Sequence, residues 1–144
     1  MTDVPILAIE NLTVVFGTTR GDQAAVRDVS LTVPAGSTVA LVGESGSGKS
    51  TTAAAVNRLL PANGRVTAGR VVLDGRDLLT LSEREMRRIR GAGIGLVPQD
   101  PMSNLNPVAK IGTQVAESLI GRGQLGRSRR RRMKPLSANT WARM

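Results

Sequence analysis

The chain has 144 residues, 40% of them apolar, which suits one globular domain or part of a larger one. It has no cysteine, which excludes disulfides and thiolate metal sites. The formal net charge of +9 is concentrated in residues 122–144, which carry eight of the twenty basic side chains and no acidic one. Residues 1–121 are therefore nearly neutral, and binding to polyanions is expected only of the later segment.

The start of the chain does not resemble a targeting segment. Residues 1–6 place no basic side chain before an apolar run, so they do not form a secretory signal. No apolar run approaches the roughly 20 residues that span a bilayer. We therefore expect a cytoplasmic protein.

The first half of the chain predicts two strands followed by a strand–loop–helix unit. β-branched and apolar residues predict strands over Leu7–Phe16 and Ala24–Val33, which lie close enough in sequence to pair antiparallel. The short continuous apolar run Thr38–Val42 is typical of a strand buried on both faces of a parallel sheet. Good helix formers then predict a helix over Lys49–Leu60, which Pro61 ends.

Shorter elements are predicted downstream. Residues Gly69–Leu73 read as a strand closed by an Asp-Gly turn at 74–75, and Ser82–Arg90 as a helix opened by a capping box. Ile94–Val97 reads as a second buried parallel strand, and Ile111–Leu119 as a helix.

The most informative stretch is residues 43–50, GESGSGKS, which fits the phosphate-loop pattern G-x-x-x-x-G-K-[ST]. Its glycines let successive backbone N–H groups surround phosphate oxygens, its lysine faces the terminal phosphates, and its last serine can ligate Mg²⁺. The predicted strand before it and helix after it supply the context that the pattern requires. The candidate nucleotide-binding residues are Gly43, Ser45, Gly46, Ser47, Gly48, Lys49, Ser50 and Thr51.

A second motif, VPQDPMSNLNP at residues 97–107, narrows the choice among phosphate-loop proteins. Together the two motifs resemble the ATP-binding subunit of an ABC transporter, most closely the oligopeptide/dipeptide (and nickel) importer branch, from about Leu7 to about Leu119. The resemblance implies an α/β fold, a P-loop NTPase of the ABC nucleotide-binding type. It also implies ATP and Mg²⁺ as cofactors.

The resemblance implies roles for three further side chains. Phe16 sits where an aromatic ring stacks on adenine. Ser50 and Gln99 would contact Mg²⁺, and Gln99 would also reach the attacking water from a loop that lies against the transmembrane partner. The implied partners are a second ATP-binding subunit, transmembrane permease subunits and, indirectly, a substrate-binding protein, with the subunit peripheral on the inner face of the cell membrane.

Other parts of the family pattern are missing. The chain contains no Asp-Glu dipeptide, no Gly-Gly pair and no histidine, so the catalytic Glu, the signature loop and the switch His are absent. We therefore expect an ATP-binding domain over residues 1–121, truncated before the signature loop and the Asp-Glu strand, that binds nucleotide with little or no hydrolysis. Residues 122–144 are expected to form a disordered basic tail. We hypothesise that they are read out of frame or follow a premature rearrangement of the gene, which the DNA sequence would test.

Several alternatives remain open at this point. The chain could be a non-catalytic nucleotide-binding protein, or its basic tail could bind nucleic acid or another polyanion non-specifically. A small kinase is a weaker choice. Phe16 could be an ordinary core aromatic, and Gln99 a solvated loop amide. Without neighbouring strands, the apolar runs 39–42 and 94–97 would also be exposed, which predicts marginal stability or poor solubility.

Overall fold

The computed structural model describes residues 4–97, 99–100 and 106–114. The chain divides into two compact units, residues 1–86 and 87–144. The strands are β1 (Pro5–Thr18), β2 (Gly21–Pro34), β3 (Gly64–Leu73) and β4 (Arg76–Asp77), and the helices are α1 (Lys49–Val56) and α2 (Glu83–Ala92).

The four strands form one antiparallel sheet in the order β2-β1-β3-β4. The predicted strands 7–16 and 24–33 and their antiparallel pairing are confirmed, with each strand longer than predicted. β3 begins five residues before its predicted start, at Gly64. The predicted turn at Asp74-Gly75 is present, with positive φ at both residues, and it joins β3 to β4 in a tight hairpin.

Bulges interrupt the pairing of β1 with both of its neighbours. Asn11 and Asp28 adopt φ values of 48° and 49° there, and the Asn11 amide donates to the Asp28 carboxylate at 2.8 Å. The Asn11 backbone N–H donates to the Ser30 hydroxyl, and the Asp28 backbone N–H to the Thr13 hydroxyl. Side chains thus satisfy backbone groups where the ladder is broken.

The core of the first unit lies between this sheet and α1, which contacts β1, β2 and β3. Its largest fully buried side chains in the strands are Leu12, Val14 and Val71, and α1 adds Ala55 and Val56. This aliphatic packing fixes α1 on the sheet, so the loop that precedes α1 starts from a defined helix end.

The two predicted parallel strands are wrong for this structure. Residues 38–42 and 94–97 form no strand, and Val42 and Val97 are 89% and 93% exposed. A strand that is buried on both faces needs paired neighbours and covering helices, and the described residues provide no strand that pairs with either segment. The expectation that these apolar runs would be exposed is confirmed for residues 39–42 and 95–97, whereas Ile94 is half-buried.

The predicted helices are found with shifted ends. α1 stops at Val56, four residues before its predicted end. α2 begins after Ser82, whose backbone N–H donates to the Glu85 carboxylate at 2.9 Å, while the Glu85 N–H points back to the Ser82 hydroxyl at 3.4 Å, so the predicted capping box is present. Residues 111–114 are helical, whereas the rest of that predicted helix and the predicted tail, 122–144, lie outside the described residues.

Candidate phosphate-binding site

Residues 43–48 of the phosphate loop lie between β2 and α1, and the last two loop residues, Lys49 and Ser50, begin the helix. Residues 43–47 are exposed, and Gly48 and Lys49 are half-buried. The predicted loop-to-helix arrangement is therefore present, although the preceding residues 38–42 do not form the predicted strand.

The N-terminus of α1 presents an uncompensated helix end. Gly48 is the N-cap, with φ 89° and ψ 2°, and it provides no side-chain cap. The first turn contains no acidic residue, and the first hydrogen bond of the helix runs from the Thr52 N–H to the Gly48 carbonyl at 2.8 Å. The N–H groups of Lys49, Ser50 and Thr51 thus have no carbonyl partner within the helix, so together with the helix dipole they favour an anion.

Lys49 holds the loop closed on itself. Its Nζ donates to the backbone carbonyl of Gly43 at 2.7 Å, to that of Glu44 at 2.6 Å and to the Ser47 hydroxyl at 3.1 Å. An ammonium has three donors, and all three are used within the loop. A phosphate oxygen that binds Lys49 must therefore replace at least one of these contacts.

A close backbone contact positions the loop on the sheet. A Cβ atom at Gly48 would lie 2.6 Å from the Ala25 carbonyl oxygen and 3.3 Å from Val26 Cγ2. Ala25 is the residue that β2 leaves unpaired between its Val14–Val26 and Val15–Ala24 pairs with β1. This bulge places a strand carbonyl directly against the start of α1, where only glycine fits.

Phe16 lies near the end of β1, between Gln23 of β2 and Gly64 of β3. Its side chain is half-buried. Gln23 is two residues from Ala25 along β2, roughly 7 Å at the usual rise of a strand. Phe16 and the Gly48 contact therefore lie at the same end of the β1–β2 pair, so the ring and the phosphate loop belong to one region of the first unit.

The predicted metal contacts lie in different units. Ser50 is exposed at the start of α1, and Gln99 is exposed in the second unit. Among the described residues, no group of three or more His, Cys, Asp or Glu side chains could hold a metal ion. Mg²⁺ nevertheless requires no such group, because it is commonly held by one or two protein ligands, water and substrate phosphates.

Three contributions to the site could not be found by motif. The carbonyl of Glu44 is fixed by the loop conformation, and the carbonyl of Ala25 by a bulge that no residue type marks. Gly64 contacts the Phe16 ring only because β3 begins earlier than its apolar pattern indicates. The glycine itself is the one available signal, since a glycine inside a strand often marks a close approach.

Comparison with known proteins decides the family. The ABC transporter family model matches residues 26–143. The chain belongs to the ABC transporter family. The matched range includes the arginine-rich segment, so it does not mark the predicted boundary at Gly121, which stays a prediction.

Relatives and solved structures resemble the chain over part of their length. A putative peptide import ATP-binding protein of Brucella abortus is 49% identical over 136 residues, covering 90% of this chain and 40% of the relative. The oligopeptide transport ATP-binding protein OppD of Bacillus subtilis is 43% identical, covering 80% of this chain and 32% of the relative. The chain thus spans about 40% or less of the length of these relatives.

The dimeric structure of MJ0796, a bacterial ABC transporter cassette, aligns with a TM-score of 0.73 at 29% identity, covering 88% of this chain and 53% of that one. A post-hydrolysis dimer of the same cassette, bound to ADP and Pi, aligns equally well. The predicted ABC-type, P-loop NTPase fold is therefore confirmed. Within the described residues, no helix is both long enough and apolar enough to cross a membrane.

Proposed function

We propose that this chain is the nucleotide-binding part of the ATP-binding subunit of a peptide-importing ABC transporter. The observation that carries the proposal is the phosphate loop. It ends at a helix N-terminus without a side-chain cap, and the Lys49 ammonium is bound by carbonyls of the loop. Peptide import is supported by the relatives from Brucella and Bacillus, whose names assign them to peptide or oligopeptide transport.

ATP would bind with its phosphates on the loop and its base toward Phe16. Backbone N–H groups of residues 46–51 and the Lys49 ammonium supply the donors that phosphate oxygens need. Gly43, Ser45 and Ser47 complete the loop around them. Phe16 is the only aromatic side chain in the described part of the chain, and it lies at the same end of the sheet, so it is the one available surface for stacking the base.

Ser50 is the residue of the first unit that would hold Mg²⁺. Ser50 follows Lys49 in the first turn of α1, the turn whose N–H groups would bind phosphate, and its hydroxyl would ligate Mg²⁺. When bound, Mg²⁺ would neutralise phosphate charge. Gln99 is proposed as a second residue that contacts Mg²⁺ and as the residue that contacts the attacking water.

Family membership and the dimeric cassette structure support further partners. A second ATP-binding subunit and transmembrane permease subunits are proposed, with a substrate-binding protein acting indirectly. Such a subunit would be cytoplasmic and peripheral on the inner face of the membrane. Since the chain has no Asp-Glu dipeptide and no Gly-Gly pair, we expect ATP binding with little or no hydrolysis.

The direct test is a calorimetric titration of the full chain with ATP in the presence of Mg²⁺, which measures the binding affinity. Replacing Lys49 with Ala should weaken binding by about 10- to 100-fold, because hydrogen bonds to a charged group are each worth about 1.5–3 kcal/mol. Lys110→Ala is the matched control, since Lys110 is exposed and lies in the other unit. Equal affinity for the two variants would refute the proposal.

Phosphate release by the same preparations tests hydrolysis separately. We expect no release above the level of Lys49→Ala. Release at the rate of a full-length transport ATPase, lost in Lys49→Ala, would overturn the expectation that the chain binds nucleotide without hydrolysing it.

A further inference from the structure

One glycine of the first unit has a structural role that the phosphate-loop motif does not explain. Gly64 opens β3 and pairs across the sheet with Phe16. A Cβ atom at position 64 would lie 2.7 Å from Phe16 Cε1 and 3.1 Å from Phe16 Cδ1. Real Cβ atoms essentially never approach a carbon so closely, so the ring occupies space that only glycine leaves open.

The chain around Gly64 is fixed rather than free to yield. The Gly17 N–H donates to the Asn63 carbonyl at 2.8 Å, and the Asn63 side-chain amide donates to the Gly17 carbonyl at 3.2 Å. The Gly64 N–H in turn donates to the Pro61 carbonyl at 2.8 Å. The first two bonds hold the segment 61–64 against the end of β1, immediately beside Phe16, and the third fixes the turn within the segment.

The same segment continues from the helix that begins at the phosphate loop. Only residues 57–63 separate the end of α1 from the start of β3. A Cβ atom at Gly64 would also lie 3.3 Å from Leu60 Cβ, so this connection packs closely against the same point. The position of the ring is therefore tied to the connection that follows α1 as well as to the sheet.

We propose that Gly64 is a positioning residue for the nucleotide base: it lets the Phe16 ring lie against the β3 backbone, where the ring can stack on the base of a bound nucleoside triphosphate. The proposal rests on the proposed function, because it assigns Phe16 to the base. Glycine is required for space and not for backbone freedom. Alanine would leave the strand intact but push the ring out of place.

The test compares ATP with inorganic triphosphate, which has the phosphates but no base. Stacking of a base on an aromatic side chain is worth a measurable factor in affinity, so wild type should bind ATP about 10-fold more tightly than triphosphate. Gly64→Ala should lose most of this difference and keep its affinity for triphosphate. A merely structural defect would instead weaken both ligands together.

Gly17→Ala is the matched control. Gly17 neighbours Phe16 on β1, and a Cβ atom there would meet only the Asn63 carbonyl oxygen at 3.7 Å and an Asp22 carboxylate oxygen at 4.0 Å, which are ordinary contacts. This variant should retain the preference for ATP. Equal preferences in Gly17→Ala and Gly64→Ala would overturn the positioning role of Gly64.

A double variant keeps the test decisive if Gly64→Ala alone fails to fold. Phe16→Ala removes the ring that the new methyl group would strike, and only the 3.3 Å approach to Leu60 Cβ then remains tight, so Phe16→Ala/Gly64→Ala should fold better than Gly64→Ala alone. Its preference for ATP over triphosphate should equal that of Phe16→Ala. A further loss of preference in the double variant would mean that Gly64 acts independently of the ring, and would refute the inference.

The wild-type measurements separate the two proposals. Failure of wild type to bind either ligand would refute the proposed nucleotide-binding function. Tight binding of both without preference for ATP would leave the phosphate loop supported and overturn the base-positioning role alone.

Discussion

Replacing Gly48 with Ala should destabilise the first unit more than the same change at Gly46. Both glycines have positive φ, 89° and 81°, so the two variants share a similar backbone strain, about 1–2 kcal/mol. They also share the small gain from a stiffer unfolded chain. They differ in space, because a Cβ atom at Gly48 meets the Ala25 carbonyl oxygen at 2.6 Å, whereas one at Gly46 meets nothing within 4 Å.

The extra cost at Gly48 follows from what it strikes. The Ala25 carbonyl belongs to the backbone of β2 and cannot rotate away, and Val26 beside it is 4% exposed. Either α1 or β2 must move, which disturbs a packed core and costs about 1–3 kcal/mol beyond the strain. We therefore expect losses of about 2–5 kcal/mol for Gly48→Ala and about 1–2 kcal/mol for Gly46→Ala.

Urea unfolding followed by far-ultraviolet circular dichroism measures both losses by linear extrapolation. Titration with inorganic triphosphate adds a functional measure, since a displaced α1 should bind phosphate less well than the loop of Gly46→Ala. Equal free energies of unfolding for the two variants would mean that the Gly48–Ala25 contact relaxes without cost. The idea that β2 positions the phosphate loop would then be wrong.

Two further predictions concern the core and the exposed apolar run. Leu12→Ala should lower the free energy of unfolding by about 2–5 kcal/mol, because Leu12 is fully buried. Leu59→Ala, at a half-exposed position, should lower it much less. Equal losses of the two variants in urea unfolding would contradict this packing. Val42→Lys should leave the unfolding transition nearly unchanged and raise the concentration at which the chain stays soluble, because Val42 is 89% exposed. Val71→Lys, at a fully buried position, is the control that should unfold the chain. A large loss of stability in Val42→Lys would contradict the exposure of Val42.

The elements predicted well are those whose determinants are local in sequence. The capping box at Ser82 needs only Glu85 three residues later, and the turn at Asp74-Gly75 needs only two residues that tolerate positive φ. The contacts by which Lys49 closes the phosphate loop likewise lie within one short segment, although the position of the loop on the sheet depends on Ala25 of β2. The interactions that define these elements join residues that lie close together in the sequence.

The predictions that failed depend on distant neighbours. Residues 38–42 and 94–97 have the composition of central strands. A strand also needs neighbouring strands that complete its backbone hydrogen bonds, and the composition of one segment does not show whether those neighbours are present. Strand β3 begins at Gly64 because its first residues pair with β1, which the apolar pattern of Gly69–Leu73 did not indicate. Register, and hence the contact of Gly64 with Phe16, is a property of two strands together and is not contained in either one.

The phosphate loop keeps its form without the strand that was predicted to precede it, and the reason lies in its contacts. Lys49 closes the loop through two carbonyls and a hydroxyl from residues two to six positions away. Gly48 lets the loop lie against the Ala25 carbonyl of β2, an antiparallel strand whose residues are all described. The geometry of the loop is therefore determined by its contacts with the start of α1 and with β2. Phosphate binding should depend more on Gly48 and Lys49 than on residues 38–42. It follows that Val42→Lys should bind triphosphate like wild type, while Gly48→Ala should not.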